Sequence, residues 1–575
     1  MCGIVGLFGE VDNNLLKEMN NLISHRGPDG KGYFFDKNIG FGHRRLSIID
    51  LGGGAQPMYD REGKFVIVFN GEIYNYLDLK LYLEKKGIKF ETNSDTEVIL
   101  NMYKLHGKDC LGYFDGMFSF AIYNIDEKSL FIARDRLGIK PLYYFKNSQT
   151  FGFASEIKSL IIHPSLEKKI NKNALLEYFY RQYITGPDTI FEEIYKLLPG
   201  NYIIIKKNSF EINKYWDLSY KIKEKRSEII KPKIKNMFDE AVKKKLIADV
   251  PIGVFLSGGL DSSLVLNSMS KFYDNNIKTF SIGFDDTDYD ESKYASEVAQ
   301  HYGTHHNSII LDKKHMKYLD KLIYHLDEPL ADFAALPTFI LSKFASEKVK
   351  VVLTGEGGDE NFGGYSYYKK FDRFHSNFSI PKKFLYNKKI FYYEKNISKF
   401  LLLNKYKDSK KYIGTKLIKN YFEKGSFFNQ MLNWDVKVWL PNDLLMKVDK
   451  TTMAFGLEAR VPFLDHKLME YVATIDPKLK NEKVILKESY REELPLSVLN
   501  RKKHGFEVPI EKWFKEKHKE NMQMIIDSNF KEFSKYFELD EINKILKNKE
   551  SDIFMWRLYN FLIWYQNNFK NFNKI

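Results

Sequence analysis

The chain has 575 residues, a formal net charge of +14 and 44% hydrophobic content, which is ordinary for a globular protein and long enough for two domains or more. No apolar run approaches the ~18 residues that span a bilayer, the first residues lack the charged and apolar regions of a signal peptide, and two cysteines exclude a disulfide framework or a multi-cysteine metal site. Lysines are scattered and interleaved with acids, as in residues 221–226, which argues against nucleic-acid binding as the main function, although a basic surface still attracts anionic substrates; a cytoplasmic location is expected.

Cys2 follows the initiator methionine directly, in Met1-Cys2-Gly3-Ile4-Val5-Gly6. Aminopeptidase removal of a methionine before a small residue would place a thiol and a free α-amine on one residue. The amine titrates near ~8 in model peptides and can serve as base for its own side chain. Helical spacing of Leu15, Leu16, Met19, Leu22 and Ile23 predicts a first helix. Then come His25-Arg26-Gly27-Pro28-Asp29-Gly30, a turn signal in itself, and Gly42-His43-Arg44-Arg45-Leu46-Ser47-Ile48-Ile49-Asp50. Strand-like residues 65–69 lead into Asn70-Gly71-Glu72-Ile73-Tyr74-Asn75, and Ser94-Asp95-Thr96-Glu97 opens a helical stretch over 96–105. Residues 117–123 and 130–133 alternate as strands. Residues 134–143 and Ala154-Ser155-Glu156 read as scaffold, and Cys110 as an inert packed residue.

In this order, these motifs resemble the N-terminal-nucleophile glutaminase of class II amidotransferases. The resemblance implies an αββα sandwich over residues 1–210, with Cys2 as nucleophile. Hydrolysis of a glutamine amide passes through an oxyanion, for which each preplaced donor is worth about 2.7–4 kcal/mol; Asn70 and Gly71 fill that role by resemblance. Arg45 is the expected grip on the glutamine α-carboxylate, where a guanidinium offers two prongs. Asp95 is expected at the α-ammonium, with Glu72 nearby. Arg26 is a weaker candidate, read as holding its own loop.

The pattern turns polar near residues 205–230, where the domain boundary is placed; the second domain is expected over 230–575. A helix is predicted over 237–248, then an apolar strand over 252–256, a Gly-Gly turn and a helix from Ser262. Strands return at 278–284 and 349–353. Strands alternating with helices predict a parallel α/β sheet, and the residues after about 365 read as helices covering it. Two loops stand at predicted strand ends, Ser257-Gly258-Gly259-Leu260-Asp261-Ser262-Ser263 and Thr354-Gly355-Glu356-Gly357-Gly358-Asp359-Glu360. A helix N-terminus after a glycine turn suits phosphate, and ligands of open α/β sheets lie at carboxyl ends of strands.

The first of these loops resembles the pyrophosphate-binding loop of ATP pyrophosphatases and lacks the Gly-x-x-x-x-Gly-Lys-Ser/Thr of kinase-like P-loops. Joined to the glutaminase, it is similar to the glutamine-hydrolysing asparagine synthetase family over nearly the whole chain. Asp285, Tyr289-Asp290-Glu291, residues 449–454, residues 458–465 and Lys483 add to the match. The resemblance implies ATP as co-substrate, bound by Leu256, Ser257, Gly258, Gly259, Asp261, Ser262, Ile282, Thr354, Gly355 and Lys483. It implies Mg²⁺ on Asp261 and Asp359, and Glu356 as the group that deprotonates attacking ammonia. Ammonia from glutamine would cross an internal tunnel to a carboxylate charged as an acyl-adenylate. L-Aspartate is the expected acceptor. One departure bears on that assignment: residues 327–338 contain no counterpart of the family's arginine near the aspartate site. Another carboxylate, such as a sugar uronic acid in surface polysaccharide biosynthesis, is the alternative. Neither nucleic acid nor membrane is expected as a partner, and the assembly state is left open, with a homodimer as one outcome.

Overall fold

A computed structural model describes residues 1–207, 209–273, 276–369, 426–501, 508–514, 516–547 and 553–570. The N-terminal part contains two six-stranded antiparallel sheets. Cys2–Gly9 runs in the middle of the first, between Ile39–Arg45 and Thr150–Ala154. Phe65–Ile73 and Gly116–Asn124 pair in the second. Successive side chains of a strand face opposite ways, and the two sets are sorted accordingly. Ile4, Phe41 and Phe153 of the first sheet meet Val66, Val68, Ala121 and Ile132 of the second in one apolar layer. Ile67, Phe69 and Ile73 point outward onto the helices Tyr76–Lys85 and Asp95–His106. Val5 and Leu7 point outward onto Leu16 and Met19 of the helix Asn13–Leu22. This is the αββα layering expected. The predicted strands 65–69, 117–123 and 130–133 fall inside Phe65–Ile73, Gly116–Asn124 and Ser129–Arg134. Cys110 is fully buried in that outer layer.

The last strand of these sheets is Ser209–Lys214, and the helix Ser227–Lys244 opens the second unit. That helix ends four residues short of the prediction. Arg460 takes the carbonyls of Lys245 and Ile247, at 2.7 and 2.8 Å, and so turns the chain out of the helix. Five parallel strands follow, in the order His305–Leu311, Lys278–Phe284, Ile252–Phe255, Val351–Leu353, Glu458–Arg460. The central ones are buried on both faces, which is why they read as continuous apolar runs. The direction of chain order reverses between Ile252–Phe255 and Val351–Leu353, so a crevice opens at their carboxyl ends.

The helices expected after residue 365 fall partly at 370–425, outside the described residues. Within the described residues, Phe427–Trp434 and Leu445–Met453 flank a π-helical stretch, Asp435–Leu444. The helix Ile553–Tyr565 locks the two units together. Arg557 donates to the carbonyl of Phe179 and Tyr178 donates to that of Arg557, while Trp564 Nε1, on the same helix, donates to the carbonyl of Asp327 within the second unit. Among the described residues no helix is long and apolar enough to cross a membrane.

Candidate functional site

Cys2 starts the central strand of the first sheet and is 7% exposed. Its backbone N–H donates to Asn70 Oδ1 at 3.0 Å. Asn70 is fully buried in the facing sheet, and its Nδ2 donates to Ser119 Oγ at 3.5 Å. Gly71 has φ +156°, and a Cβ there would fall 2.1 Å from the Met117 carbonyl, so no side chain fits. Burial pushes the Cys2 thiol up, while the neighbouring N-terminal ammonium pulls it down.

The expected glutamine-reading residues are placed differently from one another. Arg45 sits at the rim, its guanidinium donating to the carbonyls of Leu51 and Asp50 at 3.1 and 2.6 Å. Asp95 is buried at the start of its helix and accepts from the Ile73 N–H at 3.0 Å; burial lifts its carboxyl to about 6. Glu72 turns toward the domain junction, 3.8 Å from Arg460 Nη2, and burial with Glu458 close by raises it well above the usual range. Glu458 in turn pairs with the Met1 amine at 2.9 Å.

Arg26 does more than hold its own loop. Its Nε donates to the Cys2 carbonyl at 3.2 Å, and Nη1 donates to Glu156 at 2.9 Å and to Asp449 at 2.8 Å. Asp449 lies on the helix Leu445–Met453 of the second unit. Lys450 of that helix reaches Asp327 at 2.7 Å, and Lys158 bridges Glu156 and Asp327 at 2.5 and 3.1 Å. The junction is therefore a closed set of buried ion pairs. Asp135, by contrast, is scaffold as read: it accepts the N–H groups of Leu137, Ile139 and Lys140 at 3.1, 2.9 and 2.9 Å.

The second site occupies the crevice of the parallel sheet. Ser257 contacts Ser262 Oγ through its N–H and its hydroxyl, at 3.2 and 3.0 Å, and Gly259 N–H donates to Ser257 Oγ at 3.3 Å. Gly258 has φ +69°, and a Cβ would lie 2.5 Å from Ala295 N. The helix Leu260–Met269 starts here, and its first-turn N–H groups lack intrahelical acceptors. Leu256 and Ile282 are buried. Thr354 and Gly355 approach from the adjacent strand, a Cβ at Gly355 falling 2.9 Å from Asp261 Cβ. The Thr354 hydroxyl is buried with no hydrogen-bond partner among the described residues.

Lys483 lies between two carboxylates, paired with Asp261 and, at 2.6 Å, with Asp359. Both push its ammonium up against the opposing effect of burial. Lys483 has φ +59° and Glu482 φ +56°, a kink that non-glycine residues adopt at a cost and that aims Lys483 into the crevice. A cation already sits well between Asp261 and Asp359. Mg²⁺ in nucleotide sites needs only one or two carboxylates beside phosphates and water, so this pair fits that ion.

Glu356 is half-buried beside them; burial raises its carboxyl, Lys447 opposes, and Asp332, Asp359 and Asp261 add to the rise. Of the polar cluster next to it, only Asp332 lies in a stretch that the sequence singled out. Lys447, 5% exposed, pairs with Asp332 at 2.9 Å. Fully buried Asp443 accepts from Gln182 Nε2 and Trp439 Nε1, at 3.0 and 2.8 Å, and its other oxygen has no hydrogen-bond partner among the described residues. Burial and Asp332 lift Asp443 to about 7. These residues come from segments far apart in the chain, and a π-helix supplies Trp439 and Asp443. No local spacing could have signalled them.

Comparison with known proteins matches the halves separately. Residues 1–216 match the family described as glutamine amidotransferase domain, and residues 233–566 the family described as asparagine synthase. Asparagine synthetase (glutamine-hydrolyzing) 1 of Bacillus subtilis (strain 168) is 35% identical, covering 99% of this chain and 97% of its own. Asparagine synthetase (glutamine-hydrolyzing) 3 of the same strain is 31% identical, covering 88% and 87%. With a cysteine heading one sheet, a glycine-rich loop at the switch point of another, and relatives that span the chain, this protein belongs to the glutamine-hydrolysing asparagine synthetase family.

Proposed function

We propose that this ligase converts L-aspartate to L-asparagine, with ATP cleaved to AMP and pyrophosphate through an acyl-adenylate. Cys2, freed of Met1, attacks the glutamine amide while Asn70 and Gly71 offer N–H donors to the oxyanion; the Cys2 α-amine passes the thiol proton to the departing nitrogen, ammonia leaves, and water hydrolyses the remaining thioester to glutamate. Arg45 and Asp95 take the two charged ends of glutamine. Ammonia passes along the closed junction, because in bulk water it would mostly become ammonium and lose its lone pair. ATP lies in the crevice against Leu256, Ser257, Gly258, Gly259, Ser262, Ile282, Thr354 and Gly355, with Lys483 at its phosphates. Asp261 and Asp359 would hold Mg²⁺, which offsets charge on the departing pyrophosphate. Glu356 takes a proton from the attacking ammonia; its raised pKa suits a base.

The observation that carries the choice of acceptor is the charge beside Glu356. Lys447 stands within reach of three carboxylates, Asp332, Glu356 and Asp443. One cation among three acids favours a ligand that brings an ammonium group. Aspartate brings one, offers an α-carboxylate to Lys447, and leaves its β-carboxylate for adenylation. A uronic acid brings only an anion to a negative wall. The test supplies ATP, Mg²⁺ and glutamine with L-aspartate or with glucuronate, and assays amide, AMP and pyrophosphate. Amide from aspartate alone, with AMP and pyrophosphate, is the expected result. Release of ADP would overturn the adenylate, and amide from glucuronate alone would overturn the acceptor.

A further inference from the structure

The glutamine pocket is finished by a residue of the other domain. Residues 46–54 form a loop after the strand Ile39–Arg45, and Asp50 in that loop has φ +49°. A non-glycine residue holds this left-handed conformation only where its surroundings over-determine it. Asp50 is held by five hydrogen bonds. Its N–H donates to Asp249 Oδ2 at 2.8 Å. Its carbonyl accepts from Arg45 Nη2 at 2.6 Å and from Gly54 N–H at 3.1 Å. Its carboxylate accepts from the N–H groups of Gly53 and Asn93, at 2.8 and 2.9 Å. Asp249 also donates its own N–H to the Ile48 carbonyl at 2.9 Å, so the two segments clasp each other. Lys350 repeats the arrangement nearby: it pairs with Asp29 at 2.8 Å, and Asp29 accepts from Ser47 N–H at 2.8 Å.

Four of the five bonds to Asp50 come from the glutaminase domain; Asp249 alone comes from outside it. Through Asp50 this outside hold reaches Arg45 directly and Asp95 through Asn93, two residues before it. Asp249 stands just ahead of the strand Ile252–Phe255, and Lys350 just ahead of Val351–Leu353. The far ends of those strands carry the phosphate loop and Glu356.

We propose that Asp249 is a positioning residue for glutamine: it fixes the Asp50 turn, and thereby the guanidinium and carboxylate that receive the substrate's charged ends. This rests on glutamine as nitrogen donor and is independent of which acid is amidated. Asp249 is exposed, so its side chain is no part of a core.

The experiment measures glutamate release against glutamine concentration, without ATP or acceptor, for the full chain and for Asp249→Ala and Asp249→Asn. Losing one acceptor for a backbone N–H is expected to raise KM for glutamine about three- to tenfold in Asp249→Ala, with kcat within about twofold. Asp249→Asn keeps an oxygen for the Asp50 N–H and is expected to restore KM to within about twofold of the unaltered protein. Amide formation from ammonium, with whichever acid the acceptor assay identifies, is expected to stay within about twofold in both variants. An unchanged KM in Asp249→Ala would overturn the proposal. A KM raised equally in Asp249→Asn would overturn the hydrogen bond as its cause, and a parallel fall in ammonium-supported synthesis would make Asp249 a general structural residue instead.

Discussion

Arg26 and Asp449 face each other across the domain junction through two N–H···O bonds, 2.8 and 3.2 Å long, with neither side chain more than 2% exposed. The same guanidinium reaches the Cys2 carbonyl. Removing one partner of such a buried pair strands the other charge, at a cost of about 3–5 kcal/mol. Asp449→Ala is expected to lower stability by about that much, read as a shift of the denaturant midpoint. Replacing both residues by leucine should cost less than the two single replacements added together.

Cys2→Ala separates the two chemistries. Glutamate release is expected to fall below detection, because the thioester needs a thiol and Cys2 is the one held at Asn70. Synthesis supported by added ammonium should remain within about twofold. Loss of both activities in a folded variant would contradict the division of labour between the domains.

Lys447 pairs with Asp332 and its charge opposes the rise of Glu356. Lys447→Met keeps the length and removes the charge. A charge-assisted hydrogen bond is worth about 1.5–3 kcal/mol, so KM for the acceptor should rise about 10–100-fold. Glutamate release measured without ATP should be unchanged.

Asp443 gives a pH signature. Its folded-state value of about 7 lies above the ordinary 3.8, through burial and through Asp332. Between those two values the folded protein holds a proton that the unfolded chain has lost. Stability therefore falls as pH rises through this window, and the penalty is complete above pH 7. Asp443→Asn keeps an oxygen for Gln182 and Trp439 and cannot ionise. Its melting temperature should exceed that of the unaltered protein by about 2–4 °C at pH 8, and the gap should shrink toward pH 4. An equal gap at both ends would place the effect in packing rather than in the proton.

Local signals were legible in the chain itself. Strand alternation around Phe65 and Gly116, and the glycine turn after Phe255, depend on neighbours in sequence, and those elements lie where the pattern put them. The glycines at 71 and 258 were readable because close backbone approach leaves a residue type behind. Contacts between domains were not. Arg26 looked like part of its own turn because nothing near it in sequence points to Asp449. Glu72 stood beside Asn70 in a motif, yet it faces Arg460 across the junction. The polar cluster beside Glu356 was hidden for a further reason: an irregular π-helical turn, with Pro441 inside it, carries Asp443. Periodicity carries no signal for that geometry.

Met1 is 2% exposed, and its amine is clasped by Glu458, a carboxylate from the last quarter of the chain. An exopeptidase needs a loose, extended end to grip. If Cys2 is to act from a free N-terminus, as proposed, Met1 would have to leave before this pair closes, so the order of clipping and folding becomes part of the proposal. A chain folded with Met1 in place keeps that residue buried against Glu458.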